Sequence, residues 1–136
     1  YITPIDFLFD RRYILYKMKG NIMKAMDINW QTGLVKVFID DERTPIGPGW
    51  DVIRNMADFV EFVEQFGFPD YISFDHDLGK DRPTGYDIAK WVVDRDLDGI
   101  HHLPDKFSFY VHSQNPIGKK NIESLLNKYL KVKHAE

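Results

Sequence analysis

Three short polar clusters stand out in the chain, each directly after an apolar run: Asp40-Asp41-Glu42-Arg43, Asp75-His76-Asp77 and His112-Ser113-Gln114-Asn115. If the runs are neighbouring strands, the clusters converge. Carboxylates brought close together repel one another, and a divalent cation relieves that repulsion. Oxygen-rich sets of this kind suit Mg²⁺ or Mn²⁺. Asp40, Asp41, Asp75 and Asp77 are therefore the candidate metal ligands. His76 and His112 could add a nitrogen ligand or move a proton near neutral pH. Acids also follow strands as turn formers and helix caps, but three such clusters at three strand ends point to a site.

The last cluster carries a second signal. Ser113-Gln114-Asn115-Pro116-Ile117-Gly118-Lys119-Lys120 leads from a strand into the start of a helix. Free backbone N–H groups and the positive end of the helix dipole favour an anion there. Gly118 would let a phosphate approach the backbone, and Lys119 or Lys120 would reach its oxygens. Ser113 and Asn115 add polar groups at the same turn. Arg43, beside the acidic pair, either pairs with it or neutralises a bound phosphate. The spacing of a Walker loop is absent, and a plain capped helix with solvated lysines is the bland alternative. His101, His102 and His134 read as surface histidines, Trp91 as core, and Trp50 as a core or loop-anchoring residue, or as a cover for the site or a stacking partner for a base.

The elements that must position these groups are short and regular. Leu34–Ile39 reads as a buried strand, followed by a Pro/Gly loop over Thr44–Gly49. Asp51–Arg54 is a candidate second strand. Asn55 caps a helix that carries Met56, Phe59, Val60, Val63 and Phe66 at helical spacing and stops at Gly67 and Pro69. Tyr71–Phe74 is a third strand, and Gly79–Pro83 a loop. Thr84 and Asp87 open a helix to about Asp94. Phe107–Val111 is a fourth strand, and Asn115-Pro116 starts a helix to about Lys131. Strands alternating with helices predict an α/β domain with a mainly parallel sheet of about four strands. Ligands in such folds bind outside the strand C-terminal ends.

The 136 residues are about one domain, with 18 Lys+Arg against 21 Asp+Glu, 43% hydrophobic and 15% aromatic residues. That excludes general disorder. The sequence has no apolar run long enough to span a membrane, and no membrane partner is expected. The net charge of −3 argues against bulk DNA binding. With no Cys there are no disulfides, thiolate metal sites or Cys nucleophile. A cytoplasmic location is expected from the lack of a disulfide framework and signal peptide. Residues 1–33 differ from residues 34–136: they carry five Lys/Arg and three Asp, against 13 Lys/Arg and 18 Asp/Glu in the rest. Phe7, Leu8, Ile14, Leu15, Met18 and Ile22 line up loosely as one helical stripe. This extension is expected to pack on the domain or on a partner in an assembly, with nucleic-acid or phosphate contact as the alternative.

The motifs Val37-Phe38-Ile39-Asp40-Asp41-Glu42-Arg43-Thr44-Pro45, Ser73-Phe74-Asp75-His76-Asp77-Leu78-Gly79, Thr84-Gly85-Tyr86-Asp87 and Val111-His112-Ser113-Gln114-Asn115-Pro116-Ile117-Gly118 occur in this order. Together they resemble the cyclic-phosphate processing receiver domain family, a branch of the response-regulator receiver fold common in phages and bacteria. The resemblance covers about residues 34–130. It implies a receiver-like (flavodoxin-like) three-layer sandwich, a divalent cation, and action on cyclic phosphates of nucleotides or RNA ends. It matches Asp40 and Asp41 to the receiver's metal-holding acidic pair and Asp75 to its phosphoacceptor. Ser113 lies near the receiver's hydroxyl residue, and His76, Asp77, His112 and Asn115 match the additions of this branch. No fifth strand with a terminal lysine is evident, and the Pro/Gly loop after Arg43 replaces the receiver's long first helix.

The leading expectation is a metal-dependent phosphoesterase. His112 or His76 would move the proton, and Asn115, the helix N-terminus and Lys119 would hold phosphate oxygens. Asp75 attacking phosphorus directly stands as an alternative to water. Two other readings are a non-catalytic nucleotide-binding or structural module, and a signalling receiver phosphorylated on Asp75.

Overall fold

The computed structural model describes residues 34–135. The N-terminal extension expected over residues 1–33, with its apolar stripe, lies outside the described residues. Four strands and three helices follow in the order β1 (Lys36–Ile39), β2 (Trp50–Ile53), α1 (Met56–Phe66), β3 (Tyr71–Phe74), α2 (Gly85–Leu97), β4 (Ser108–Val111) and α3 (Pro116–His134). The sheet order is β2-β1-β3-β4, with every pair parallel. This is a receiver-like α/β fold, and it bears out the expected sheet. The link from β1 to β2 contains no helix, in keeping with its Pro/Gly composition.

The register aligns the strand ends. Ile39 sits opposite both Ile53 and Phe74, and Phe74 opposite Val111. The ladder runs one residue further: Asp40 N–H donates to the Ile53 carbonyl (3.1 Å), Asp75 N–H to Ile39 (2.9 Å) and His112 N–H to Phe74 (2.9 Å). Backbone pairing thus places the first residue of each polar cluster in one row at the C-terminal edge.

Alternation then separates the two faces of the sheet. Val37, Ile39, Ile53, Ile72, Phe74 and Val111 point to one face. There they join Phe59 and Val63 of α1, Ile88 and Val92 of α2, and Ile122 and Leu126 of α3 in a single core. Each such side chain contributes about 1.5–3 kcal/mol on burial. All three helices therefore share one face. The described residues form two layers, and the third layer of the expected sandwich is not supplied by them.

The helix ends are set by the residues the sequence offers. Asn55 Oδ1 accepts the Asp58 N–H at the start of α1, and Gly67 with φ 83° closes it. Thr84 and Asp87 form a reciprocal capping box at α2, and Asn115 caps α3 ahead of Pro116. Both α2 and α3 run one turn past the expected Asp94 and Lys131. Asp96 explains this. Its side chain is buried, accepts the Leu103 N–H at 2.8 Å and pairs with Lys133 Nζ at 2.6 Å and the Tyr129 hydroxyl, locking the ends of the two helices together. Strand β2 starts at Trp50 and ends before Arg54, one residue earlier than expected at each end. Arg54 leaves the strand pattern because its guanidinium turns back to the carbonyls of Asp40 (3.0 Å) and Arg43 (2.6 Å).

Candidate active site at the C-terminal edge of the sheet

Asp40 is the most enclosed of the acids, at 1% exposure. Its Oδ1 accepts the N–H groups of Glu42 (2.9 Å) and Arg43 (2.7 Å), so the carboxylate itself folds the turn after β1. Its Oδ2 meets Arg43 Nε at 2.8 Å and His112 Nε2 at 3.0 Å. Burial alone pushes the Asp40 carboxyl up. The two backbone N–H groups, the His112 contact and the Arg43 charge outweigh that and hold it below the usual carboxylate range.

Asp75 follows β3 and is also buried. Its Oδ1 accepts the N–H of His76 at 2.8 Å and lies 3.6 Å from Arg43 Nη2. Asp40, Asp75 and His112 each offer one ligand atom, and these atoms lie within 4.8 Å of one another. Two buried carboxylates and an imidazole converge at one point. With Asp40 ionised, Nε2–H of His112 donates to it, and the Ser73 hydroxyl, 2.7 Å from Nδ1, fits the remaining nitrogen.

A second group stands beside this one. His76 Nδ1 lies 2.9 Å from Asp77 Oδ1, a contact that holds the exposed Asp77 carboxyl below its usual range. Asn115 bridges the two parts of the turn: Oδ1 caps α3 at the Gly118 N–H (2.9 Å), while Nδ2 reaches Asp77 Oδ2 (3.3 Å). Ser113 Oγ accepts the Asn115 N–H at 3.0 Å.

A cleft of about 810 Å³ opens over these groups. Its wall includes Asp40, Asp41, Arg43, Asp75, Asp77, Lys80, Ser113 and Asn115. The structure thus brings most of the residues singled out in the sequence to one place, and sorts them. Asp41 and Asp77 line the cleft but stand outside the three-residue ligand group. His112, which the sequence offers as a nitrogen ligand or a proton carrier, stands inside it. Gly118 does not offer its backbone to the cleft. Its N–H is spent on the Asn115 cap, and the space where a side chain would stand is filled by the His76 ring, 2.2 Å from where a Cβ would fall. Lys119 is turned away, with Nζ 5.6 Å from the Tyr110 ring centroid on the sheet face. Gly118, Lys119 and the two histidines, His76 and His112, are not among the residues of the wall.

Three contributors escaped the sequence reading. Arg54 fastens the turn after β1 by its carbonyls. Ser73 holds His112 from within β3; its alternation with Ile72 and Phe74 was the available signal, since a lone hydroxyl among buried residues needs a partner. Lys80, in the loop after Asp77, supplies a cation to the wall that Lys119 does not.

A family model described as "Cyclic-phosphate processing Receiver domain" matches residues 35–128, which is more than half of the chain and includes every residue of the ligand group. No curated protein matches the chain, and no solved structure does. Among the described residues, no helix is long and apolar enough to cross a membrane.

Proposed function

The chain belongs to the cyclic-phosphate processing receiver domain family, and from that premise we propose that it is a metal-dependent phosphoesterase acting on cyclic phosphates of small nucleotides or RNA ends. The observation that carries the reading is the convergence of Asp40, Asp75 and His112 within 4.8 Å, with Asp40 and Asp75 on the wall of a cleft that also carries Arg43 and Lys80. The donor set fits a divalent ion. Two carboxylates bring two negative charges, and the imidazole nitrogen tilts the mixture from Mg²⁺ toward Mn²⁺.

A cation held by Asp40, Asp75 and His112 would polarise the phosphoryl group and neutralise charge in the transition state. Arg43, anchored through Nε on Asp40, presents its remaining N–H groups to phosphate oxygens in a fixed fork. Lys80 and Ser113 add a charge and a hydroxyl on the same wall. His76 is the residue better placed to move a proton. Asp77 holds its Nδ1, which leaves Nε2 as the exchanging nitrogen, whereas His112 would turn the Nε2 lone pair from Asp40 to the cation, with its proton on Nδ1 facing the Ser73 hydroxyl. In the hydrolysis, water oxygen bonds to phosphorus, one ribose P–O bond breaks, and the departing oxygen takes a proton. The product is a nucleoside monophosphate or an RNA end bearing one.

The test is turnover of 2′,3′-cyclic nucleotides and of an RNA oligomer ending in a 2′,3′-cyclic phosphate. Monophosphate formation that EDTA abolishes and Mn²⁺ or Mg²⁺ restores is expected. No metal-dependent hydrolysis across that panel would overturn the reading.

A further inference from the structure

The sheet face opposite the helices has a composition of its own. Trp50, Lys36, Tyr71 and Ser108 stand abreast in one register row, and Val52, Phe38, Ser73 and Tyr110 in the next row on that face. Phe38 on this face is buried, while Trp50, Val52, Tyr71 and Tyr110 stand outside the core that the helices form on the other face. Their rings contact each other instead: Trp50 stands edge-on to Phe38 at 5.8 Å and tilted against Tyr71 at 5.7 Å. Val52 is 38% and Tyr110 54% exposed. A hollow of about 300 Å³ lies at the start of the strands, lined by Leu34, Trp50 and Tyr71 among others. Parallel sheets bury both faces, and every described helix lies on the other one.

We propose that residues 1–33 of the same chain cover this face, laying Phe7, Leu8, Ile14, Leu15, Met18 and Ile22 against Trp50, Val52, Tyr71 and Tyr110. Connectivity is the first argument. The segment joins the described chain at Leu34, which itself lines the hollow, and it leads into β1, an inner strand of the sheet. The chain therefore arrives beside the surface that needs a cover. Length is the second. Four strands about 4.8 Å apart are only about 15 Å across, and a helix of about 20 residues is about 30 Å long, so 33 residues suffice with a connector to spare. A tethered segment also acts at an effective concentration on the order of millimolar, ahead of a free partner. Single-stranded RNA stacking on the aromatics is the competing occupant. Lys36 of this face lies over Trp50, and Lys119 reaches from the start of α3 to lie over Tyr110.

The chain has no Cys, so engineered pairs can be read cleanly in the full-length protein. Leu15→Cys with Val52→Cys places one thiol on the stripe and one on the open face. Leu15→Cys with Leu97→Cys is the control, since Leu97 is 67% exposed at the end of α2. With a short bismaleimide, the first pair is expected to cross-link within one chain at least tenfold faster than the control. In a cysteine-free background, Val52→Asp with Tyr110→Asp is expected to speed trypsin cleavage at Arg11 and Lys17 at least tenfold, with the helical signal of the domain unchanged. Equal cross-linking in both pairs overturns the proposal. Covalent dimers at low protein concentration overturn it in favour of a second copy. Equal cross-linking together with protection of Val52→Cys by a single-stranded RNA oligomer overturns it in favour of a nucleic-acid face. None of these outcomes depends on whether the C-terminal edge is catalytic.

Discussion

His112 lies flat on Phe38, with ring centroids 4.3 Å apart and planes 6° from parallel. Phe38 occupies the second face of β1, and His112 follows β4, so an apolar ring two strands away sets the height of an imidazole at the site. Together with Ser73 and Asp40 at its two nitrogens, this fixes the ring in tilt and in rotation. Phe38→Ala removes the seat. It is expected to lower stability by about 3 kcal/mol, the usual cost of truncating a buried Phe, and to weaken Mn²⁺ binding at least tenfold. Phe38→Tyr, which keeps the ring, should restore the metal affinity. Isothermal titration with Mn²⁺ reads both.

The geometry separates two aspartates that the sequence treats alike. Asp75 belongs to the three-residue ligand group, and Asp77 belongs to His76 and Asn115. Asp75→Asn should therefore reduce Mn²⁺ affinity at least 30-fold, roughly 2 kcal/mol. Asp77→Asn should leave that affinity within about threefold and instead lower turnover and change the pH profile, because the orientation of His76 is lost. Equal losses of metal binding in the two variants would place Asp77 in the ligand shell.

The parallel four-stranded sheet and the cluster convergence were legible in the sequence because both rest on local signals: apolar runs of four to six residues, polar clusters that close them, and helix caps at Asn55, Thr84 and Asn115. The roles within the cluster were not. Gly118 and Lys119 look like a phosphate-binding turn, yet a glycine beside a helix start leaves room for whatever lies nearest, and here that is the His76 ring, which comes from the exit turn of β3. Helix ends beyond Asp94 and Lys131 depend on Asp96 finding Lys133 across two helices, a long-range pairing with no signature in either helix alone.

Asp96 gives the stability of the domain a pH dependence. Burial pushes its carboxyl up, but the hydrogen bonds from Lys133, Tyr129 and the Leu103 N–H, with the Lys133 charge, win and hold it below the usual range. A carboxyl lowered in the folded state binds its proton more readily when unfolded, so its contribution is complete above about pH 4 and is lost as pH falls through the lowered value. Asp96→Asn should cost about 3 kcal/mol at pH 7, since it leaves Lys133 without its buried partner. The difference between variant and wild type should shrink in urea melts taken progressively below pH 4. A difference that stays constant down to pH 2 would show that Asp96 is not titrating with folding.

Two glycines near the site predict opposite kinds of damage from the same substitution. At Gly85 an added Cβ would fall 1.9 Å from the Asp75 carbonyl oxygen, and that oxygen is backbone at the end of β3, where Gly85 N–H also donates to the His76 carbonyl at 2.8 Å. Neither strand nor helix can yield cheaply, so Gly85→Ala should destabilise the domain by about 2–3 kcal/mol, in the range of overpacked cores. At Gly118 the Cβ would meet the His76 ring at 2.2 Å, and a side chain can swing aside. Gly118→Ala should therefore keep most of the stability and leave Mn²⁺ affinity within about threefold, while turnover of a cyclic phosphate falls at least tenfold because the imidazole is driven from Asp77. Thermal melts, metal titration and turnover measured on the two variants distinguish the cases. If Gly118→Ala retains wild-type turnover, His76 does not move the proton.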